Sequence, residues 1–287
     1  MATAREFGLR LNRLRNTRKV TWTMKLVSAN KLRKLQESQR TLDAFSQRLK
    51  RLLKYRSGTA VLEDPRFQAR NPVKRRLVVV FSGDRGLCGG FNQGLGRHVM
   101  HWVGEHGGAE PCRIHCLGRR GHLFLRDRAP VSVVYGSLSM RPTYSDAVRI
   151  SQDLQKRFKA AEVDEVWMAW NRLRGALSQE PLMERFLPQD PESLPPSAPV
   201  SRWTLIEPGL DRLSDLLITR ALHVRVYAAM LENASGEQSA RVLAMDTASR
   251  NVDDLVDRCI MDRNRARQAA ITRELTEIMS GAEALKG

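Results

Sequence analysis

The chain has 287 residues, 42% of them hydrophobic, and a formal charge of +17. That length admits one large domain or two smaller ones and is enough to bury a core. No window approaches the roughly 18 consecutive apolar residues of a membrane span, and four scattered cysteines in a chain this long argue against a disulfide framework.

The N-terminal segment carries much of the charge. From Met1 to Arg56 there are sixteen Lys/Arg against Glu6, Glu37 and Asp43. Such a concentration implies an acidic partner, whether nucleic acid, anionic lipid or an acidic protein surface. The basic amphipathic pattern of the first twenty residues resembles a transit peptide. It continues for another thirty residues, however, which favours a structural helix.

Between Phe7 and Tyr55 there is one glycine, Gly8, and no proline. Steps of three and four from Leu14 pass through Thr17, Thr21, Met24 and Ser28, then Leu35, Leu42, Phe45, Leu49 and Leu52. The second half of this seam suits a coiled coil, and the first half is small and polar. The segment Arg56–Phe67 breaks the helix.

The middle of the chain alternates between strand and helix patterns. "LVVVF" (Leu77–Phe81) reads as a buried strand, followed by the glycine-rich turn "SGDRGLCGGFN" (Ser82–Asn92). "NQGLGRHVMHWVGEH" is a helix weakened by its glycines. "RIHCLG" and "VSVVYG" are strands, and "YSDAVRISQDLQKRFKAA" is a helix with Ser145 and Asp146 near its start. "EVWMAWNRL" and "RWTLIEP" complete the strands. This order predicts an α/β domain with a largely parallel sheet. Five prolines between Pro188 and Pro199 mark a surface loop expected to be mobile.

From Leu210 to Ser280 there is no proline and one glycine, Gly236, with an apolar seam over seven heptads and a stop expected at Gly281. Neither terminal helix can bury its stripe alone. They are expected to pair antiparallel, with the longer C-terminal helix protruding.

Chemistry is sparsely supported. The turn after the first strand lacks the Gly-Lys-Ser/Thr of a phosphate loop and the spacing of a dinucleotide fingerprint. Its glycines read as supplying positive φ in a tight turn. "CRIHC" (Cys112–Cys116) invites a metal, but no second ligand pair stands at zinc spacing. Cys88 beside Arg85 has no assigned base. On residues alone the chain is a rod with a domain on its side, with no catalytic, cofactor or metal residues assigned. The rival reading, a basic nucleic-acid-binding coiled coil or scaffold, would need a base-reading surface, and no aromatic–basic interleaving suggests one.

Three blocks carry a family resemblance. "LRLNRLRNTRKVTWTMKLVSANKLRKLQ" (Leu9–Gln36), "SGDRGLCGGFN", and "ENASGEQSARVLAMDTASRN" with "NRARQAAITRELTEIMSGAEAL" resemble the γ subunits of F-type ATP synthases. "SQEPLMERFLP" and "IEP" fall where that family has comparable segments. The resemblance implies an antiparallel coiled coil of N- and C-terminal helices (1–57 and 209–287) with a Rossmann-like α/β domain (74–208) inserted between them. It implies a non-catalytic rotor shaft that binds no cofactor, has the α and β subunits, ε and the c ring as partners, and binds no nucleic acid. It would meet the membrane only through the complex, on the cytoplasmic face of a bacterial inner membrane.

By motif match, contacts with the α/β ring are expected at Met24, Lys25, Arg85, Cys88, Arg241, Arg267, Gln268 and Thr272. A contact with the c ring or ε is expected at Glu207. Trp22, Ile206 and Arg263 depart from the family pattern, so the foot and upper shaft are expected to be tuned differently.

Overall fold

The computed structural model describes residues 4–55, 63–106, 112–135, 142–175, 178–196, 198, 206–207 and 209–284. The long helices are α1 (Ala4–Leu52) and α5 (Leu210–Ala284). Between them lie β1 (Arg76–Phe81), α2 (Phe91–His106), β2 (Arg113–Leu117), α3 (Arg119–Leu125), β3 (Val131–Tyr135), α4 (Tyr144–Lys159), β4 (Glu165–Arg174) and β5 (Ser178–Leu187). By internal packing the chain divides into two units, residues 29–241 and residues 1–28 with 242–287. Both long helices contribute to each.

In the larger unit the sheet order is β3-β2-β1-β4-β5. The first four strands are parallel, and β5 runs antiparallel to β4. Period-two alternation along β1 builds a core on each face. Leu77, Val79 and Phe81 pack with Ile150, Leu154 and Phe158 of α4 and with Leu222, Val226 and Met230 of α5. Val78 and Val80 pack with Leu95, Val99 and Trp102 of α2 and Leu125 of α3.

The same alternation disposes of a metal reading for "CRIHC". Cys112, Ile114 and Cys116 enter the α2/α3 core together. On the other side of β2, His115 Nδ1 lies 3.1 Å from Tyr135 Oη.

Several local expectations are refined. Of the glycines in α2, Gly96 has a packing reason, since a Cβ there would collide with the ring of Phe124 on α3, whereas an added Cβ at Gly94 or Gly104 would meet nothing. The cap of α4 is Thr143, whose hydroxyl accepts from Asp146 N at 3.2 Å, rather than Ser145 or Asp146. Helix α3 was not anticipated. Strand β5 was not assigned either: Pro181 and three charged residues interrupt its apolar pattern, as an edge position permits. Its outer edge is covered by α5, where Arg225 Nη2 donates to Arg185 O at 2.9 Å and to Glu184 Oε1 at 2.5 Å.

Three further readings meet the described residues differently. Helix α5 continues through Gly281 instead of stopping there. The proposed strand "RWTLIEP" falls largely outside the described residues, and Ile206 and Glu207 are not in a strand. The proline-rich segment has anchors: Gln189 is buried, its N–H donates to Arg66 O at 2.7 Å, and Ala198 N donates to Lys54 O at 2.7 Å.

Helices α1 and α5 pair antiparallel in both units. In the larger, Leu42, Leu49 and Leu53 pack on Leu217, Ile218, Val224 and Leu231. In the smaller, buried Leu11, Met245, Val252 and Cys259 share the seam with Thr21 and Ser28, and polar contacts cross it. Ser249 Oγ donates to Thr21 Oγ1 at 2.8 Å, Lys25 Nζ to Asp246 Oδ1 at 2.6 Å, and Arg18 pairs with Asp253 at 2.9 Å. Cys259 Sγ lies 3.5 Å from Phe7 O, and beyond Ala266 the described side chains of α5 are exposed.

Tyr135 Oη also donates to Asp153 Oδ2 at 2.7 Å, and Arg157 Nε donates to the same carboxylate. Edge strand β3 is thereby tied to α4. Burial, reinforced by the charge of Arg157, lowers the His115 pKa to about 4. The unfolded chain therefore takes up a proton near the ordinary histidine value that the folded chain refuses. Relative to His115→Asn, the wild-type chain is expected to lose stability as pH falls from about 6.5 to about 4, by about 3 kcal/mol in all. Urea unfolding across that range checks the sign and the size.

Candidate functional site: the turn after the first strand

Strand β1 lies between β2 and β4, so successive crossovers leave it in opposite directions. In open α/β sheets, the crevice at the carboxyl end of such a strand is where ligands bind. The turn Ser82–Asn92 occupies that place, and its hydrogen bonds are made within the chain. Gly83 N donates to Asn92 Oδ1 at 2.7 Å, and Arg120 N donates to Gly83 O at 3.0 Å. Arg119 N donates to Asp84 Oδ1 at 3.0 Å, and Ser82 Oγ donates to Leu117 O at 2.6 Å.

The crevice is filled by α5. Gly236 packs on the Phe91 ring, where an added Cβ would lie 3.1 Å from it. Glu237 is 2% exposed, and an added Cβ on Gly83 would stand 2.8 Å from its Cδ. Arg241 is 6% exposed; its Nη2 donates to Glu237 Oε1 and, at 3.3 Å, to Gly86 O. Asn171 Nδ2 on β4 reaches Phe91 O at 3.2 Å. An internal carboxylate–guanidinium pair thus stands where a phosphate and its counter-charge would otherwise lie. Burial raises the Glu237 pKa, while Arg241 opposes the rise through its hydrogen bond and charge.

The glycines have other duties than expected. Among the four in the turn, only Gly89 has positive φ, at 57°. Gly83 makes room for Glu237, and an added Cβ at Gly86 would meet Arg120 Nη2 at 3.0 Å. The second left-handed residue is Leu87, at φ 61°, and it is 61% exposed. A non-glycine residue held there is uncommon. The turn therefore presents Leu87 and Arg85 outward from a fixed base.

Cys88 belongs to that base. It is 3% exposed, packs with Phe91 and Ala240, and accepts from Asn92 Nδ2 at 3.3 Å. Burial, and then the charge of Glu237, raise its pKa. A thiol so placed is a poor nucleophile, and its side chain does not face outward as expected. Nor is Arg241 a solvated contact group, because its side chain is committed to Glu237 and the turn. Arg85 is exposed and Glu207 is exposed at a bend.

In the smaller unit Met24 is half-buried, and the Lys25 ammonium is committed to Asp246. Arg267, Gln268 and Thr272 are exposed, with Thr272 Oγ1 donating to Gln268 O at 3.0 Å. On the same stretch of α5, Ile271, Leu275, Ile278 and Met279 are 49–69% exposed. Sequence reasoning passed over Glu237 and Leu87. The i, i+4 pairing of Glu237 with Arg241 was the available signal for the first.

A family profile described as ATP synthase matches residues 3–285. The chain is 36% identical to the ATP synthase gamma chain of Geobacter metallireducens over 293 residues, and 34% identical to that of Trichlorobacter lovleyi over 288. Each match covers 100% of both proteins. The chain belongs to the ATP synthase γ-chain family. Its fold agrees. A chain of the Euglena gracilis mitochondrial ATP synthase superposes with TM-score 0.67 at 17% identity, covering 98% of this chain and 94% of that one. A central-stalk chain from Tetrahymena thermophila gives 0.62 at 21%, covering 80% and 99%. Within the γ-chain family, the nucleic-acid reading of the basic helix has no standing.

A double-mutant cycle tests the filled crevice. Gly83→Ala is expected to cost about 1–3 kcal/mol by overpacking against Glu237, and Glu237→Ala about 3–5 kcal/mol by stranding Arg241. The double variant should cost less than the sum by at least about 0.5 kcal/mol, as measured by urea unfolding. Additive costs would mean that the two residues do not meet.

Proposed function

We propose that the chain is the central shaft of an F-type ATP synthase rotor, carrying rotation between a membrane c ring and a catalytic head of α and β subunits. The observation that carries this reading is the full-length match to bacterial γ chains. Two features of the fold support it: a paired α1/α5 and an exposed apolar end on α5. Catalysis belongs to the head, and the shaft supplies asymmetry. A shaft with threefold symmetry would act alike on three β subunits, whereas two unequal helices do not.

Contacts with the head are assigned to exposed groups: Arg85 and Leu87 on the turn, and Arg267, Gln268 and Thr272 on α5. Cys88 and Arg241 support the turn from beneath, and Met24 and Lys25 belong to the α1/α5 seam of the smaller unit. Glu207 is assigned to the foot, towards the c ring and ε. Exposed Arg5, Arg10, Arg13 and Arg15 give α1 a positive surface suited to acidic loops of β. Exposed ion pairs are worth about 0–1 kcal/mol each, so such a surface holds its partner while still letting it slide. No described helix is long and apolar enough to cross a membrane. Peripheral attachment through the complex, on the cytoplasmic face of a bacterial inner membrane, is the corresponding location.

Co-expression with the α and β subunits of the same source is expected to give an ATP-hydrolysing complex. Removing residues 263–287 should lower ion pumping per ATP hydrolysed. Arg267→Ala should weaken binding to the head by about tenfold, the effect of about 1.4 kcal/mol at one anchoring contact. Failure to assemble, together with tight salt-sensitive DNA binding, would overturn the reading.

A further inference from the structure

Arg66, in the 3₁₀ turn Pro65–Phe67, has no part in the turn or in the helix seam, yet it is 1% exposed. All five of its guanidinium N–H groups are engaged. Nε donates to both oxygens of Asp64, at 2.9 and 2.8 Å. Nη2 donates to Asp64 Oδ2 and, at 2.5 Å, to Asp215 Oδ1. Nη1 donates to Thr219 Oγ1 at 2.7 Å and Gln155 Oε1 at 3.4 Å. The residue's own carbonyl accepts from Gln189 N.

These partners come from four places. Asp64 belongs to the segment leading into β1, Gln155 to α4, and Gln189 to the segment following β5. Asp215 and Thr219 lie one turn apart near the start of α5. Arg66 therefore joins α4, through its guanidinium, and the segment after β5, through its carbonyl, to the lower part of α5 within the larger unit.

An apolar side chain would fill this space without the desolvation that a buried charge incurs, and Phe67, Leu217 and Ile218 show that apolar packing is available alongside. What a planar fork adds is direction. Apolar surfaces in contact can shift relative to one another at little cost, whereas five engaged N–H groups in fixed geometry cannot.

We propose that Arg66 is a torsional clasp, a positioning residue that locks the α/β layer to the lower part of α5 so that twist passes between them without slip. This rests on the shaft reading above. In rotation, the load on the foot of α5 would otherwise reach the sheet layer through the apolar contacts of Leu222, Val226 and Met230 and, further along α5, through the bonds of Arg225 and Arg241.

The test uses the assembled complex, with a probe attached through Asp127→Cys in the exposed turn after α3. The native cysteines are all buried, so labelling is selective. Asp64→Asn/Arg66→Met fills the site without charge and keeps an acceptor for the 3₁₀ turn; Asp215→Asn removes one partner at the surface, and Arg66→Lys keeps the charge without the fork.

With the head stalled, angular fluctuation of the probe should widen most in Asp64→Asn/Arg66→Met and less in Asp215→Asn. Arg66→Lys should fall between wild type and the double variant. Ion pumping per ATP should drop in the same order. A lowered unfolding midpoint with unchanged fluctuation would mean that Arg66 is only structural, and would overturn the clasp. A wild-type complex in which the probe never rotates would overturn the shaft reading, and the clasp with it.

Discussion

Helix α5 has to satisfy two neighbours at once, and the remainder of the larger unit is arranged around that demand. Leu222, Val226 and Met230 complete the core on one face of the sheet, while Leu217, Val224 and Leu231 complete the seam with α1. A helix with one apolar stripe needs one partner. This one has apolar groups on more than one side and takes two. The sheet consequently needs no separate helix over β5, and the crevice beside β1 is closed by α5.

That closure explains why a fold whose topology favours a ligand crevice shows a filled one here. The turn has the glycines of a binding loop, but they admit Glu237 and Arg120 side chains from the same chain. The strained residue is Leu87 instead. Backbone strain of this kind persists where the surroundings over-determine it. Here the surroundings are the Arg241 bond to Gly86 O and the buried Cys88 beneath.

Much of the fold was legible because its signals are periodic. The seams of α1 and α5, the apolar runs of β1 and β4, and the helix Tyr144–Lys159 all follow from spacing and composition. Strand β5 was not legible: only its last two residues are buried, and Pro181 mimics a break. The site was legible only as a location. Spacing put Arg85 and Cys88 on one turn but could not say that one side chain faces water and the other the core. Nor could it show that Arg241, read as an outward charge, is spent on Glu237. Those facts depend on where α5 crosses the sheet, which no local pattern records.

The covered edge of β5 has a consequence for the order in which the chain is made. Strand β5 and helix α1 are both complete before Leu210 is synthesised, and both depend on α5 for cover. Until α5 leaves the ribosome, the nascent chain carries an open sheet edge and a basic helix with an unsatisfied apolar stripe. Both are features that invite misassociation. Helix α5 therefore acts as a commitment step: the earlier segments reach their stable arrangement only once it has emerged, and a product lacking it is left with its most adhesive surfaces exposed.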